Sequence, residues 1–292
     1  MAAAFSLRAD SAAPLERTVE VDDSRILVRF SATDFALGAD EIVAWAGRRA
    51  QIVRDYYGKF PVVSATLRIR ATSGSGVHGG REFSSASPFI NISVGREVTR
   101  AELDDDWVLV HEMIHLAFPE IGDRHAWLAE GLAVYVEGVA RTQAGNETAE
   151  EFWAGLVKDM PQGQPQSGDK GLDVTHSWGR TYWGGAIFCL QADMRIRERT
   201  GNKKGLQDAL RAVLRETGGN TSERSIANAL ALADAATGTT VLSDLYREYG
   251  ESSKPFDLDA TWRKLGISMR DGRIVFDDQA PLARERRAIT RS

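Results

Sequence analysis

The sequence predicts an α+β fold, with a mixed β-sheet lobe at the N-terminal end followed by a mostly helical lobe. Short β-prone runs with two-residue alternation fall before residue 100, and apolar residues at helical spacing dominate after it. No segment repeats at a fixed period, which excludes a solenoid or a propeller. With 43% hydrophobic and 26% charged residues over 292 positions, the chain can bury a substantial core. The expected division is a β-rich lobe with one helix over 1–99, a helical lobe over 100–280 and a frayed tail over 281–292.

Thr18 to Val21 and Arg25 to Phe30 flank Asp22-Asp23-Ser24, a hairpin pattern that opens a sheet. From Asp40 to Tyr57, residues such as Ile42, Trp45, Ala46, Ile52, Val53 and Tyr56 recur at near-helical spacing and predict a helix covering that sheet. Val62 to Ile69 reads as the next strand. The glycine-rich run from Gly74 to Gly80 reads as a loop flanking a cleft. Phe89 to Val94 is a strand beside it, either a plain sheet member or a source of backbone hydrogen bonds for an extended peptide. From Arg100 the chain turns helical, and Glu102, Asp104, Asp105 and Asp106 read as a solvated first turn whose acids suit a helix N-terminus. Further helices are expected near Ala126 to Val139, Thr148 to Lys158, Tyr182 to Arg199, Lys204 to Glu216, Ser222 to Ala235 and Val241 to Tyr249. Pro161 to Gly171 is the longest irregular segment, and a last strand pair lies around Ser268 and Arg273 to Phe276.

The formal charge of -5 supplies no basic footprint of the kind that phosphate neutralisation requires, so nucleic acid is not an expected partner. Arg284, Arg286, Arg287 and Arg291 cluster at the C-terminal end and read as part of a solvated tail. The lone cysteine, Cys189, sits in an apolar run and reads as a core residue. No apolar stretch approaches the roughly 18 to 20 residues that span a bilayer, and Met1 to Ala13 lacks the pattern of a secretory signal. A soluble chain is expected, in the cytosol as written or in the periplasm if a leader has been removed. The compartment and the oligomeric state stay open.

The chemistry concentrates in His111-Glu112-Met113-Ile114-His115. Histidines four apart project from one face of a helix, so two imidazoles can share one metal ion. Glu112, next to the first histidine, can reach a water beside the metal and take its proton. Val108, Leu109, Val110, Met113, Ile114 and Leu116 make the segment apolar nearly all round, so the helix is buried and its histidines need partners. One zinc ion is the expected cofactor, held on this helix between the two lobes.

Zinc needs a third protein ligand, and His125 and Glu130 both follow closely. Glu130 lies among apolar neighbours in a second buried helix, where an unpartnered carboxylate is costly. A turn through Pro119 and Gly122 returns that helix antiparallel to the first. These features favour Glu130, with His125 at the start of its helix as the alternative. Glu137, seven residues beyond Glu130, either orients a ligand from outside or forms a peripheral salt bridge. His176 and His78 sit in loops, as a further oxyanion donor or simply as exposed residues.

The run Trp127-Leu128-Ala129-Glu130-Gly131, together with the histidine motif, resembles the gluzincin zinc metallopeptidases, in which the glutamate of a W-L-x-E-G helix completes the site. Within that clan the likeness is to the glycyl-aminopeptidase-like (peptidase MA-like) family. Tyr182-Trp183-Gly184-Gly185-Ala186 is similar to its Y-x-K-G-A element, with Gly184 in place of lysine, and weaker matches extend the likeness from about Trp107 to Leu265. The resemblance implies peptide-bond hydrolysis with His111, His115 and Glu130 on zinc, Glu112 as general base and then acid, and Tyr182 as donor to the oxyanion. Peptides or proteins are the implied substrates. No G-x-M-E-N motif occurs, so aminopeptidase and endopeptidase action are both open, with Glu82 a candidate for reading a substrate amine. The alternative is a binding or scaffold protein of the same fold that keeps zinc without catalysis.

Overall fold

A computed structural model describes residues 15–291. Strands β1 (Glu16–Val21) and β2 (Ser24–Phe30) form the expected antiparallel hairpin, with Asp22 in the left-handed region at the turn (φ 50°). Helix α1 (Ala39–Tyr57) then crosses to β3 (Ser64–Thr72), which pairs parallel to β2. Strands β4 (Val77–Phe83) and β5 (Phe89–Gly95) complete a five-stranded mixed sheet in the order β1-β2-β3-β5-β4. α1 packs its buried face, including Ile42, Trp45, Ala46 and Val53, into the core beneath the sheet.

This order corrects one expectation and decides another between its two alternatives. The glycine-rich run is not wholly a loop, because its second half enters strand β4 and pairs antiparallel with β5. Consequently Phe89–Gly95 is flanked on both sides and has no free edge, whereas β4 is the outer strand.

Helices α2 (Arg100–Asp105) and α3 (Val108–His115) follow. Thr99 and Glu102 form a reciprocal capping box that starts α2. The acidic run is only partly a solvated first turn. Asp106 is 6% exposed, ends α2 and accepts the Val108 and Leu109 N–H groups at 3.0 and 3.2 Å, so it caps α3 from a buried position. α3 buries Val108, Leu109, Val110, Met113 and Ile114, as its apolar surface requires.

The helical region continues through α4 (Ala126–Gln143), α5 (Ala149–Asp159), a π-helical turn (Arg180–Gly184) leading into α6 (Gly185–Thr200), α7 (Leu206–Thr217), α8 (Ile226–Thr237), α9 (Val241–Tyr249) and α10 (Leu258–Leu265). β6 (Ile267–Arg270) and β7 (Arg273–Phe276) form the expected terminal hairpin. The basic segment after it is not a frayed tail through residue 291. It forms α11 (Ala283–Ile289), with Arg286 only 3% exposed and donating to the Leu265 and Gly266 carbonyls. Ser292 lies outside the described residues. No helix among the described residues is long and apolar enough to cross a membrane, and Cys189 is buried in α6 as expected of a core residue.

Candidate metal centre

Helices α3 and α4 bring three side chains to one point. The ligand atoms of His111, His115 and Glu130 all lie within 4.8 Å of one another. Glu130 Oε2 is 3.3 Å from His111 Nε2 and 3.5 Å from His115 Nε2. The two imidazoles stand nearly perpendicular, with ring centroids 5.1 Å apart, as positions one helical turn apart allow. His125, the alternative, is turned away: its Nδ1 is 2.8 Å from Asp173 Oδ1.

A pair of glycines seats α4 directly against α6. A Cβ on Gly131 would lie 2.2 Å from the Gly185 carbonyl carbon, and one on Gly185 would lie 2.0 Å from the Trp127 carbonyl oxygen. α4 and α6 therefore meet backbone to backbone beside Glu130, a contact that only glycine permits. Asp173, whose side chain is fully buried, holds the front of α4 by accepting from His125, Trp127 Nε1 (2.7 Å) and the Tyr246 hydroxyl (2.6 Å).

The protonation states suit a cation. Burial would raise the Glu130 pKa, but the two histidines outweigh it and hold the carboxyl at about 2. Burial lowers the pKa of His111 and so favours a neutral ring. It works the same way on His115, but there Glu130, Glu112 and Glu82 prevail and hold the pKa above the ordinary value. A carboxylate held in its ionised form with two imidazoles is a two-nitrogen, one-oxygen donor set that fits zinc, which would displace any proton from the ligating nitrogens. His111 Nδ1 is buried without a hydrogen-bond partner. The ring is flanked instead by Trp107, edge-on at 5.7 Å, and Tyr182, stacked at 6.4 Å.

Glu112 points to the sheet. Its Oε2 accepts the backbone N–H of Glu82 in β4 at 2.7 Å, and burial raises its pKa. A Cβ on Gly80 would lie 2.6 Å from Glu112 Cγ, so the glycine in the edge strand makes the space in which Glu112 sits. Tyr182 lies in the π-helical turn, and burial together with the Glu130 and Glu112 charges raises its pKa, so the hydroxyl keeps its proton. A cleft of about 720 Å³ opens in front of His111, Glu112 and Tyr182, and Gly79 and Gly80 of β4 line it.

The remaining candidates fall as follows. Glu137 does not contact the histidines; it pairs with Arg141 at 2.9 Å and lines the far side of the cleft. His78 is exposed at the rim, and His176 is exposed away from it. The Glu82 side chain accepts from Asn220 Nδ2 at 2.6 Å, and burial lifts its pKa to about 7. At position 184 the absence of lysine has a local reason: a Cβ there would lie 2.9 Å from Leu172 Cδ2 and 3.3 Å from the Gly163 carbonyl oxygen.

No family model and no curated protein matches the sequence. The fold does match solved structures. An aminopeptidase N family protein from Idiomarina loihiensis superposes with a TM-score of 0.65 at 12% identity, over 88% of this chain and 50% of its own. An M1 zinc metallopeptidase from Deinococcus radiodurans superposes with a TM-score of 0.52 at 15% identity, over 82% and 52% of the two chains. The fold is that of the gluzincin peptidases. This chain spans about half the length of those structures. Edge strand β4 and helices α3 and α4 all line the cleft. An M1 zinc metallopeptidase from Deinococcus radiodurans, holding a Tyr-Ser-Ala substrate, has the same fold, with a TM-score of 0.51 at 13% identity over 81% and 52%.

Proposed function

We propose that this protein is a zinc peptidase. The observation that carries the reading is the convergence of His111, His115 and Glu130 on one point, with Glu112 held beside them and facing the same cleft. The gluzincin fold supports it.

In this reading His111, His115 and Glu130 hold one zinc ion. Zinc, when bound, polarises the scissile carbonyl and makes a neighbouring water acidic enough to attack at neutral pH. Glu112 takes the proton from that water and returns it to the leaving amine. Its raised pKa suits both transfers, and the Glu82 N–H keeps the carboxylate aimed. The Tyr182 hydroxyl donates to the oxygen that gains charge. The outer edge of β4 supplies backbone groups that can pair with an extended peptide.

The test is a pair of variants. Glu112→Gln is expected to keep one zinc per chain and to lose hydrolysis of a mixed peptide library by about 10²- to 10⁴-fold. Undiminished hydrolysis in that variant would overturn the mechanism. Glu130→Ala is expected to lose the metal, read by elemental analysis of the purified protein; full zinc retention would remove Glu130 from the ligand set.

A further inference from the structure

The cleft in front of Glu112 has a second chemical character that metal binding does not use. Its walls are aromatic: Trp107 and Trp178 line it while remaining 50% and 60% exposed, and Phe152 of α5 closes its far side. Two large indoles left in water in one cleft mark a surface suited to being covered. Its far end is acidic, formed by Glu137 of α4 and Glu147 of the turn before α5.

The charges there do not balance. Arg141 lies 2.9 Å from Glu137 Oε1 and 3.7 Å from Glu147 Oε2, so one guanidinium serves two carboxylates. Its remaining donors go to Asn146 and the Asp105 carbonyl. Behind it, Arg49 is committed to Asn146 and to the Leu103 and Asp104 carbonyls, and a third carboxylate, the buried Asp106, caps α3. Three carboxylates thus share two guanidiniums, Asp159 adds a fourth acid on the cleft wall, and Glu147 Oε2 has no hydrogen-bond partner. Burial raises the pKa of both Glu137 and Glu147 in spite of Arg141.

The spacing fits a side chain. Glu130 and Glu137 are seven residues apart on one helix, two turns and about 10 Å along its axis. That is the reach from a scissile carbonyl at the metal to an acceptor hydrogen-bonded beyond the end of an extended arginine or lysine. The aliphatic stem of such a residue would lie against the indole faces, and its charge would meet the surplus carboxylate.

We propose that the cleft is a specificity pocket for a cationic side chain, arginine or lysine, next to the cleaved bond, with Glu137 and Glu147 as the residues that select it. The assignment of that residue to a substrate rests on the peptidase reading. Peptide pairs that differ only by arginine against citrulline, which keeps the shape and removes the charge, test it at each position flanking the cut. The arginine peptide is expected to show a kcat/KM higher by about tenfold to a hundredfold, the worth of a hydrogen bond to a charged group. Glu147→Gln and, separately, Glu137→Gln are expected to bring that ratio toward one. Equal cleavage of both peptides by the native protein, a preference for leucine or phenylalanine, or a ratio unmoved in both variants would overturn the proposal. Calorimetric titration with arginine amide and citrulline amide reads the pocket without catalysis. Tighter binding of the arginine amide that Glu147→Gln abolishes upholds the cation site even if no peptide is cut, in which case the peptidase reading alone fails.

Discussion

At the scale of single residues, the candidate site divides into groups that carry chemistry and groups that make room for it. Tyr182 is proposed to be of the first kind. Its hydroxyl stays protonated beside Glu130 and Glu112, and its ring stacks on His111 and Trp178. Tyr182→Phe keeps those stacking contacts and removes one donor. It is expected to lower kcat by about 10²- to 10³-fold, about 2.7 to 4 kcal/mol, with little change in KM or zinc content; steady-state kinetics beside metal analysis check this. Gly80 belongs to the second kind, since any side chain there would meet Glu112. The convergence of His111, His115 and Glu130 was legible in the sequence because its reasons are local: two histidines one turn apart, and a carboxylate in an apolar helix that would be costly without a partner. Gly80, the Glu82 N–H and the cap at Asp106 were not. Gly80 and Glu82 meet Glu112 from about 30 positions earlier in the chain, and a short-range pattern carries no sign of such a meeting.

At the scale of elements, the contact between α4 and α6 sets the depth of the site. Gly131→Ala would drive a methyl into the Gly185 backbone, so it is expected to destabilise the protein by about 1 to 3 kcal/mol and to weaken zinc binding by shifting Glu130. Gly155→Ala, in the middle of α5 with no atom within 4 Å of the added methyl, is the control. It is expected to be neutral or to stabilise by up to about 1 kcal/mol, and urea denaturation of both variants decides. The helices were readable from their apolar spacing, and α1, α4, α5, α6, α7 and α9 all form close to where that spacing places them. Strand β4 was not readable. Its glycines signal a turn, and its run Val77 to Phe83 lacks alternation, because what makes it a strand is pairing with β5 and contact with α3. The short α11 was hidden for a related reason: the aliphatic and charged parts of Arg286 are buried by β7 and by the end of α10, neighbours that composition does not reveal.

At the scale of the whole molecule, buried ions tie irregular segments to the helical frame. Asp169 pairs with Arg180 at 2.8 Å, fixing the long loop to the π-helical turn, and Asp173 joins α4 to α9 through Trp127 and Tyr246. Burial would raise the Asp173 pKa, but its donors Tyr246, Trp127 and His125 prevail and hold it below the ordinary value. A carboxyl whose native pKa is depressed stabilises the fold fully above its unfolded pKa, about 3.9, and that contribution disappears as pH falls through the native value. Asp173→Asn is therefore expected to cost about 1 to 3 kcal/mol at pH 7. The deficit should shrink as both proteins are acidified below about pH 4, measured as the difference in Tm across a pH series. A deficit that stays constant over that range would show that the charge is immaterial. The outer edge of β4 matters at this scale too. A bare strand edge is an invitation for a second copy to extend the sheet, the first step toward aggregation. Here one of its outward N–H groups is taken by Glu112 of the same chain, and α3 packs alongside. The hydrogen bond that aims the proposed base thus also serves as a guard on solubility, and a variant chosen to silence the site by removing the Glu112 carboxylate altogether would at the same time uncover an adhesive edge.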